Sequence, residues 1–503
     1  MARMEPTSKF TGTTPTEAAP GVARLDVDAV SSAAARSYYA ARQPIYPKRA
    51  KGTFRSAKWV VMAVTLGIYY LLPWLRWDRG PSLPDQAFLL DFANQRLFFG
   101  PIEIWPQELY FITGILIVAS LGLFLATALV GRMWCGYTCP QTVWTDLMIA
   151  VERFWQGDRN ARMRLDKAPW TFEKIWKKTG THATWLAISV ATGGALVFYF
   201  RDAPTLAGEL VTGDAPLVAY VFLGLFTATT YVLGGFAREQ VCIYMCPWPR
   251  IQAAMFDADS LLVSYRGFRG EPRGPHKKGQ PWAGRGDCVD CKACVAVCPM
   301  GIDIRDGAQL ECIQCALCID ACDDIMDRVG RPRGLIAYET FRNMEAPSEA
   351  DRQPLKLLRP RTLLYSALIA VVLALMGWAW VMRSAVEISV IEDRNPLFVT
   401  LSDGGIRNGY TLKILNKTHE SQRFSIHADG IAASKLAIVG RENGGVEIAV
   451  DANAVRAVKV YVTVPAAGRG EIASASTPLR FVVTDLATGE RVIRETSFRS
   501  PGQ

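Results

Sequence analysis

The chain has 503 residues, of which 50% are hydrophobic and only 20% are charged. This balance excludes a disordered chain, a collagen and a nucleic-acid-binding arm, so we expect no nucleic-acid partner. The net charge of +9 is consistent with a membrane protein, which carries Lys and Arg on its cytoplasmic side. The chain has twelve Cys and only four His, so we expect any functional site to use Cys thiolates.

Five apolar stretches are long enough to cross a bilayer, which takes about 17–25 residues. The third is the shortest and contains two adjacent glycines, so a buried helix is the alternative for it. The five predicted spans are Trp59–Trp77, Leu109–Val130, Thr184–Phe200, Leu217–Phe236 and Leu363–Met382.

Lys and Arg alternate between the loops that connect these spans. Residues 1–58 hold ten, loop 78–107 holds two, loop 131–180 holds nine and loop 201–214 holds one. Because positively charged loops stay in the cytoplasm, the pattern predicts an inner-membrane protein with a cytoplasmic N-terminus and a periplasmic C-terminus.

These features divide the chain into five parts. They are a cytoplasmic, largely disordered N-terminus (1–55), a four-helix membrane region with twin Cys motifs (56–250), a cytoplasmic ferredoxin-type domain (251–361), a fifth transmembrane helix (362–383) and a periplasmic immunoglobulin-like β domain (384–503).

The strongest motif is a pair of Cys runs between Cys288 and Cys322. Each run has the spacing C-x2-C-x2-C-x3-C, and Pro299 follows the first run. In bacterial ferredoxins with this spacing, the fourth Cys of each run ligates the other cluster. The pattern predicts two [4Fe–4S] clusters, one held by Cys288, Cys291, Cys294 and Cys322, the other by Cys312, Cys315, Cys318 and Cys298.

Zinc and disulfide bonds are the alternatives for these Cys. Zinc usually takes two separated C-x2-C pairs instead of triplets. A cytoplasmic loop is reducing, which disfavours disulfides. Both comparisons favour iron–sulfur clusters.

The other four Cys form two matched C-x3-C-P motifs. Cys135–Pro140 follows the second span, and Cys242–Pro247 follows the fourth span 107 residues later. The shared spacing and the shared Pro indicate an internal repeat of two spans. Because residues i and i+4 share a helix face, we expect each pair on one helix that its Pro bends or ends. Packing of the repeats would bring the four thiols together.

Three interpretations of the twin motifs stay open. They are a soft-metal site, above all for Cu(I), a further iron–sulfur or redox-thiol site, and small buried residues at a helix interface. The candidate residues are Cys135, Cys139, Cys242 and Cys246, with the thioether of Met245 as a weaker candidate ligand.

Residues 384–503 are predicted to form a β domain. Short, mostly alternating segments separated by Gly, Asn and Asp predict an immunoglobulin-like sandwich. No catalytic constellation is visible there, so we expect a docking or assembly role. The predicted strands are Val386–Ile391, Thr411–Leu415, Arg423–Ile426, Val446–Val450, Val455–Val464, Leu479–Thr484 and Arg491–Ser497.

Together these features resemble the cytochrome c oxidase accessory family known as CcoG, FixG or RdxA. The resemblance covers roughly residues 35–500, and its most specific part is the segment Trp134–Trp144 combined with Cys288–Cys322. It implies a membrane-bound polyferredoxin with cupric reductase activity that supports assembly of cbb-type oxidase. Copper would be its substrate or transient ligand.

The implied partners are the membrane, copper ions, a cytoplasmic electron donor, and oxidase subunits or copper-delivery proteins. Two other functions stay open. One is a membrane electron-transfer subunit between a quinol or cytoplasmic donor and another respiratory reductase. The other is a non-enzymatic assembly scaffold.

Overall fold

The computed structural model describes residues 17–31, 43–80, 83–277, 280–344, 346–440, 446–472 and 474–501. These residues form two units. The first comprises the described residues of 1–77 and 86–376, and the second those of 78–85 and 377–503.

The first unit consists mainly of helices. The α-helices are α1 (Thr53–Leu71), α2 (Tyr110–Val130), α3 (Met133–Tyr137), α4 (Pro140–Gln156), α5 (Arg159–Lys167), α6 (Phe172–Val197), α7 (Ala203–Thr212), α8 (Leu217–Thr229), α9 (Trp248–Ala254), α10 (Gly267–Gly270), α11 (Ala293–Val297), α12 (Leu317–Val329), α13 (Phe341–Met344) and α14 (Pro360–Val381). Two wider π-helical segments follow α8, and we name them π1 (Thr230–Ala237) and π2 (Val241–Met245).

Among the described residues, four helices are long and apolar enough to cross a membrane. They are Thr53–Trp74, Pro106–Val130, Leu217–Ala237 and Pro360–Val381. The predicted span 184–200 covers the second half of α6 and the three residues after it; this half is uncharged, but its Gly, Thr and Ser residues lower its hydropathy, and α6 is not among the four. The count of five spans therefore stays a prediction.

The N-terminal segment differs from the predicted disorder wherever it is described. Strands β1 (Glu17–Ala19) and β2 (Val22–Ala23) form a hairpin. Its buried residues Ala18, Ala19 and Val22 join the core of the ferredoxin region. Apolar side chains that pack on this core offset the cost of ordering the segment. Residues 1–16 and 32–42 lie outside the described residues.

Two small antiparallel sheets complete the first unit. Strands β3 (Phe88–Asp91), β4 (Arg96–Phe99) and β5 (Ile102–Ile104) form a meander that the sequence did not predict. Strands β6 (Leu261–Tyr265) and β7 (Ile336–Thr340) pair across the ferredoxin region, with Leu261 opposite Thr340. This pair lies before and after the two Cys runs in sequence.

The second unit is an immunoglobulin-like β-sandwich, as predicted. One antiparallel sheet has the order β12-β14-β10-β8, with β9 paired to β10, and the other has the order β13-β11-β15-β16. Tyr410 and Phe481, from opposite sheets, pack edge to face with centroids 5.1 Å apart. The strands are β8 (Val386–Glu392), β9 (Val399–Thr400), β10 (Ile406–Asn416), β11 (Gln422–Asp429), β12 (Lys435–Ile438), β13 (Glu447–Val450), β14 (Ala454–Val464), β15 (Ser476–Asp485) and β16 (Arg491–Arg499).

Candidate iron–sulfur and thiol sites

The two Cys runs fold into loops with the same backbone conformation. The residues on either side of the second Cys of each run have positive φ angles. They are Asp290 (53°) and Lys292 (56°) in the first loop, and Gln314 (56°) and Ala316 (58°) in the second. Side chains rarely adopt this region, and its alternation with right-handed backbone turns successive N–H groups to one concave side. Such nests of N–H groups are common at iron–sulfur sites.

Each loop closes a cavity with one Cys from the other run. The first cavity is lined by Cys288, Cys291, Cys294 and Cys322. The second is lined by Cys298, Cys312, Cys315 and Cys318, with Cys294 also at its wall. The structure therefore brings together the same two groups of four thiols that the spacing predicted.

The donor chemistry of these groups fits two [4Fe–4S] clusters. Burial raises the pKa of Cys312 to about 11 and that of Cys298 to about 12, so their thiolates need nearby positive charge, which iron ions provide. Among the described residues, no group of three or more His, Cys, Asp or Glu is arranged to hold a single metal ion. A cubane is compatible with this arrangement, because each of its thiolates binds a different iron.

The twin C-x3-C-P motifs fold differently from our prediction. Helix α3 ends at Tyr137, and Cys139 is extended (φ −56°, ψ 128°) as the residue that caps the start of α4. Pro140 is therefore the first residue of a new helix and does not end the old one. A residue before Pro avoids the helical region, and Pro is favoured at the first position of a helix.

The second motif repeats this geometry. Cys242 lies in π2, whereas Cys246 is extended (φ −84°, ψ 120°) and Pro247 precedes α9. The similarity extends four residues upstream of the first Cys. Gly131 has φ 60° and ψ −124°, and Arg238 has φ 43° and ψ −112°. The two repeats thus share a backbone path, but Arg238 takes the place of a glycine.

The four thiols of the twin motifs lie near enough for their charges to influence one another, although no three of them are arranged to hold a single metal ion in the described residues. Burial and then the neighbouring charges of Cys139, Cys135 and Cys246 raise the pKa of Cys242 to about 12. Burial and the charge of Cys139 likewise raise the pKa of Cys135 to about 12. Met245, by contrast, is 63% exposed, and its role as a ligand stays a prediction.

The first thiol motif lies directly against the second cluster loop. A Cβ atom on Gly136 would lie 2.7 Å from the carbonyl oxygen of Ile313 and 3.1 Å from the Cα atom of Cys315. These distances leave no room for a side chain at residue 136. The glycine is required there by close backbone approach, and this packing joins the thiol site to the second cluster site.

Arg132 connects the same two sites through hydrogen bonds. Its side chain is buried, and its Nη1 atom donates to the carbonyl oxygens of Leu310 and Cys312. Its Nη2 atom donates to the carbonyl oxygen of Pro249 at 2.6 Å. A buried guanidinium therefore lies between the cluster loop and the segment that follows the second thiol motif.

Gln252 forms a hydrogen bond with the thiol of Cys135. The Cys135 Sγ atom donates to Gln252 Oε1 at 3.1 Å, and Gln252 Nε2 donates to Thr127 Oγ1 at 3.2 Å. Gln252 is fully buried. Sequence reasoning missed this residue because no spacing or motif marks it. Gly136, which it also missed, lies within the motif, whereas Arg132 is visible in the sequence as the Arg that precedes the motif.

Two thiol-lined cavities beside helices long enough to cross a bilayer define a membrane-type iron–sulfur protein. Family models agree with each part. A model described as "4Fe-4S dicluster domain" matches residues 237–341, one described as "4Fe-4S binding domain" matches residues 112–156, and one described as "IG-like fold at C-terminal of FixG" matches residues 376–501.

The chain belongs to the FixG family, which confirms the resemblance. It is 51% identical to "Nitrogen fixation protein FixG" of Rhizobium meliloti (strain 1021), over 96% of this chain and 97% of that protein. It is 54% identical to "Protein RdxB" of Cereibacter sphaeroides, over 93% of this chain and 98% of that protein. A solved structure of a FixG-related protein from Vibrio parahaemolyticus matches 24% of this chain and 99% of that chain, with 25% identity and a TM-score of 0.20.

Proposed function

We propose that this iron–sulfur oxidoreductase reduces Cu(II) to Cu(I) at Cys135, Cys139, Cys242 and Cys246. The observation that carries the proposal is the contact of Gly136 with the backbone of Ile313 and Cys315. We call the thiols of Cys135, Cys139, Cys242 and Cys246 the thiol group. The contact at Gly136 makes this group the immediate neighbour of the second cluster site. An electron that leaves that site has the thiol group beside it.

The chain's own residues suit this reaction. When bound, the two clusters supply single electrons, and the reduction of Cu(II) to Cu(I) consumes one. Thiolates are soft ligands that favour Cu(I), so the thiol group stabilises the product. Gln252 orients the Cys135 thiol through the 3.1 Å hydrogen bond. Apolar neighbours such as Ile313 and Trp248 pack around Cys135, which is buried, and Cys242, which is partly buried.

A Cys135→Ser/Cys139→Ser variant tests this proposal. With clusters reduced and a Cu(I)-specific chelator present, the variant should form Cu(I) at less than a tenth of the wild-type rate, and its cluster absorbance should be unchanged. Thr138→Ser, within the same motif, is the matched control and should behave as wild type. Loss of cluster absorbance in the Cys variant would mean that these Cys serve iron instead.

A further iron–sulfur cluster at the four thiols is the second candidate. It is favoured by the match of a 4Fe-4S binding model to residues 112–156, which include Cys135 and Cys139. Iron content separates the candidates. Two cubanes give about eight irons per chain, and a third cluster gives about twelve. The Cys135→Ser/Cys139→Ser variant would then lose about four irons.

We further propose that the protein works in the inner membrane, with its ferredoxin region in the cytoplasm and its β-sandwich in the periplasm. The Lys and Arg pattern of the loops supports this orientation. The sandwich would then dock oxidase subunits or copper-delivery proteins. Deletion of residues 384–503 should abolish oxidase assembly in cells and leave copper reduction by the purified protein intact. Loss of both activities would contradict a separate docking role.

A further inference from the structure

A cavity of about 370 Å³ lies beside π1, apart from the cavities lined by Cys. It is an open cleft bordered by α4, α5, α6 and π1, together with residues that precede α1. This size is in the range of small-molecule sites. Its wall includes Tyr46, Glu152, His182, Trp185, Phe236 and Arg238.

Aromatic rings form one side of this cavity around a single imidazole. The His182 ring is stacked on Phe236 with centroids 5.7 Å apart and an angle of 17°. The Trp185 ring meets it edge to face at 5.2 Å. The Nδ1 atom of His182 lies 3.0 Å from the hydroxyl oxygen of Tyr231, within hydrogen-bond distance. The cavity wall thus offers aromatic rings and the His182 imidazole, and Tyr231, which does not line the cavity, positions that imidazole through the hydrogen bond.

The charged residues of the cavity are paired with one another. Arg238 donates to both carboxylate oxygens of Glu152, at 3.1 and 2.5 Å. Lys178 pairs with Asp166 at 2.6 Å. A ligand with an anionic group would have to displace these carboxylates in order to bind Arg238 or Lys178. The pairing therefore favours a neutral ligand with an aromatic ring and hydrogen-bonding oxygens.

The backbone beside the cavity is irregular in a way that is typical of functional sites. Tyr231 and Phe236 lie in π1, and isolated π-helical turns are frequent at such sites. Arg238 follows with a φ angle of 43°, a left-handed conformation that residues other than glycine rarely adopt. In the first repeat the corresponding span stays α-helical up to Val130, and Gly131 takes the strained position. The site therefore belongs to one repeat only.

The cavity is connected to the redox sites. Arg238 also lines a second, smaller cavity whose wall includes Cys242, Met300 and Ile313. The backbone carbonyl of Arg238 accepts a hydrogen bond from Gln141 Nε2 at 3.2 Å, two residues after Cys139. A donor in the first cavity would thus be separated from the thiol group by Arg238 and its immediate neighbours.

We propose that this cavity binds a membrane hydroquinone, which donates electrons to the protein. Its ring would lie on the aromatic wall, and one hydroxyl would bond to His182. Oxidation to the quinone releases two electrons and two protons. Clusters held by the eight Cys of the two runs would accept one electron each, the His182 imidazole would take one proton, and solvent water would take the other. This inference rests on the clusters of the proposed function and does not require copper as their acceptor.

Binding and cluster reduction test this proposal separately. The purified full-length protein in detergent is titrated with a photoreactive short-chain quinone, and the labelled peptides are mapped. We expect label on α6 or π1, and competition by a short-chain hydroquinone. Label found elsewhere only, or none at all, would overturn the proposal.

Two conservative variants then test the role of the His–Tyr pair. Tyr231→Phe and His182→Phe keep the rings and remove the polar atoms. Each should raise the half-saturating hydroquinone concentration for cluster reduction about tenfold, which is the loss expected for one hydrogen bond. Tyr220→Phe, on the same span, is the matched control, because the Tyr220 hydroxyl bonds to carbonyl oxygens of α7. Equal half-saturation in all variants would contradict the proposal.

A chemical reductant distinguishes failure here from failure of the proposed function. If clusters reduced by dithionite reduce Cu(II) but hydroquinone does not reduce the clusters, copper reduction stands and the quinol site is wrong. If hydroquinone reduces the clusters and Cu(II) does not reoxidise them, the quinol site stands and the copper proposal is wrong.

Discussion

A Cβ atom on Gly136 would lie 3.1 Å from the Cα atom of Cys315, so the backbones of the first thiol motif and the second cluster loop are in contact. The two motifs are far apart in sequence, and their spacing does not predict this contact. It makes the thiol group part of the same local structure as the second cluster site. The electron path that we propose depends on this packing.

A side chain at residue 136 should therefore separate the two sites. We expect Gly136→Ala to lower the free energy of unfolding by about 1–3 kcal/mol, as overpacking does, and to slow Cu(II)-driven reoxidation of the clusters. Gly122→Ala is the control, because nothing lies within 4 Å of a Cβ atom there. Reoxidation at the wild-type rate in Gly136→Ala would show that the path does not pass this contact.

Arg132 should raise the reduction potential of the second cluster, because its buried positive charge stabilises the reduced, more negative state. We expect Arg132→Gln to lower that potential on the order of 60 mV, the change that corresponds to a tenfold shift in a one-electron equilibrium. Arg132→Lys keeps the charge and should retain most of the potential. The exposed Arg250→Gln is a further control. A redox titration followed by electron paramagnetic resonance measures all three, and an equal loss in the Lys variant would assign the effect to hydrogen bonds instead of charge.

The exchange of the fourth Cys between the runs can be tested by iron content. We expect Cys298→Ser combined with Cys315→Ser to lose one cluster, about four irons, because both residues line the second cavity. Cys298→Ser combined with Cys291→Ser should lose both clusters, because Cys291 lines the first cavity. The reverse pattern of iron loss would mean that each run holds its own cluster.

The N-terminal hairpin should protect the first cluster. The Leu25 N–H donates to the Cys291 carbonyl oxygen at 3.0 Å, and Arg24 pairs with Asp290 at 2.5 Å. Deletion of residues 1–28 should speed the loss of the first cluster in air several-fold and leave the second cluster intact. Deletion of residues 1–16 alone is the control. Equal stability of the two truncated proteins would show that the hairpin does not shield the cluster.

Local chemical patterns predicted much of the fold. The Cys spacing predicted both groups of four thiols because a cubane imposes that spacing. Apolar length predicted the four spans, and alternation predicted seven strands of the sandwich. Two strands were missed: Val399–Thr400, whose two residues are too few to show alternation, and Lys435–Ile438.

The errors had different physical origins. The helix start at Pro140 could have been read from the sequence, since Pro disfavours helix at the preceding residue and favours the first position of a new helix. The His182–Tyr231 pair could not have been read, because packing of α6 against π1 joins residues that are 49 positions apart. The order of the N-terminal hairpin likewise depends on the core that it covers.

Rapid anaerobic mixing of the fully reduced protein with Cu(II) and a Cu(I)-specific chelator tests the central claim most directly. We predict that the clusters reoxidise as one Cu(I) appears for each electron lost, and that Cys135→Ser/Cys139→Ser abolishes this fast phase with its clusters intact. Formation of Cu(I) at the same rate in that variant would contradict the account, because copper would then take electrons without the thiol group.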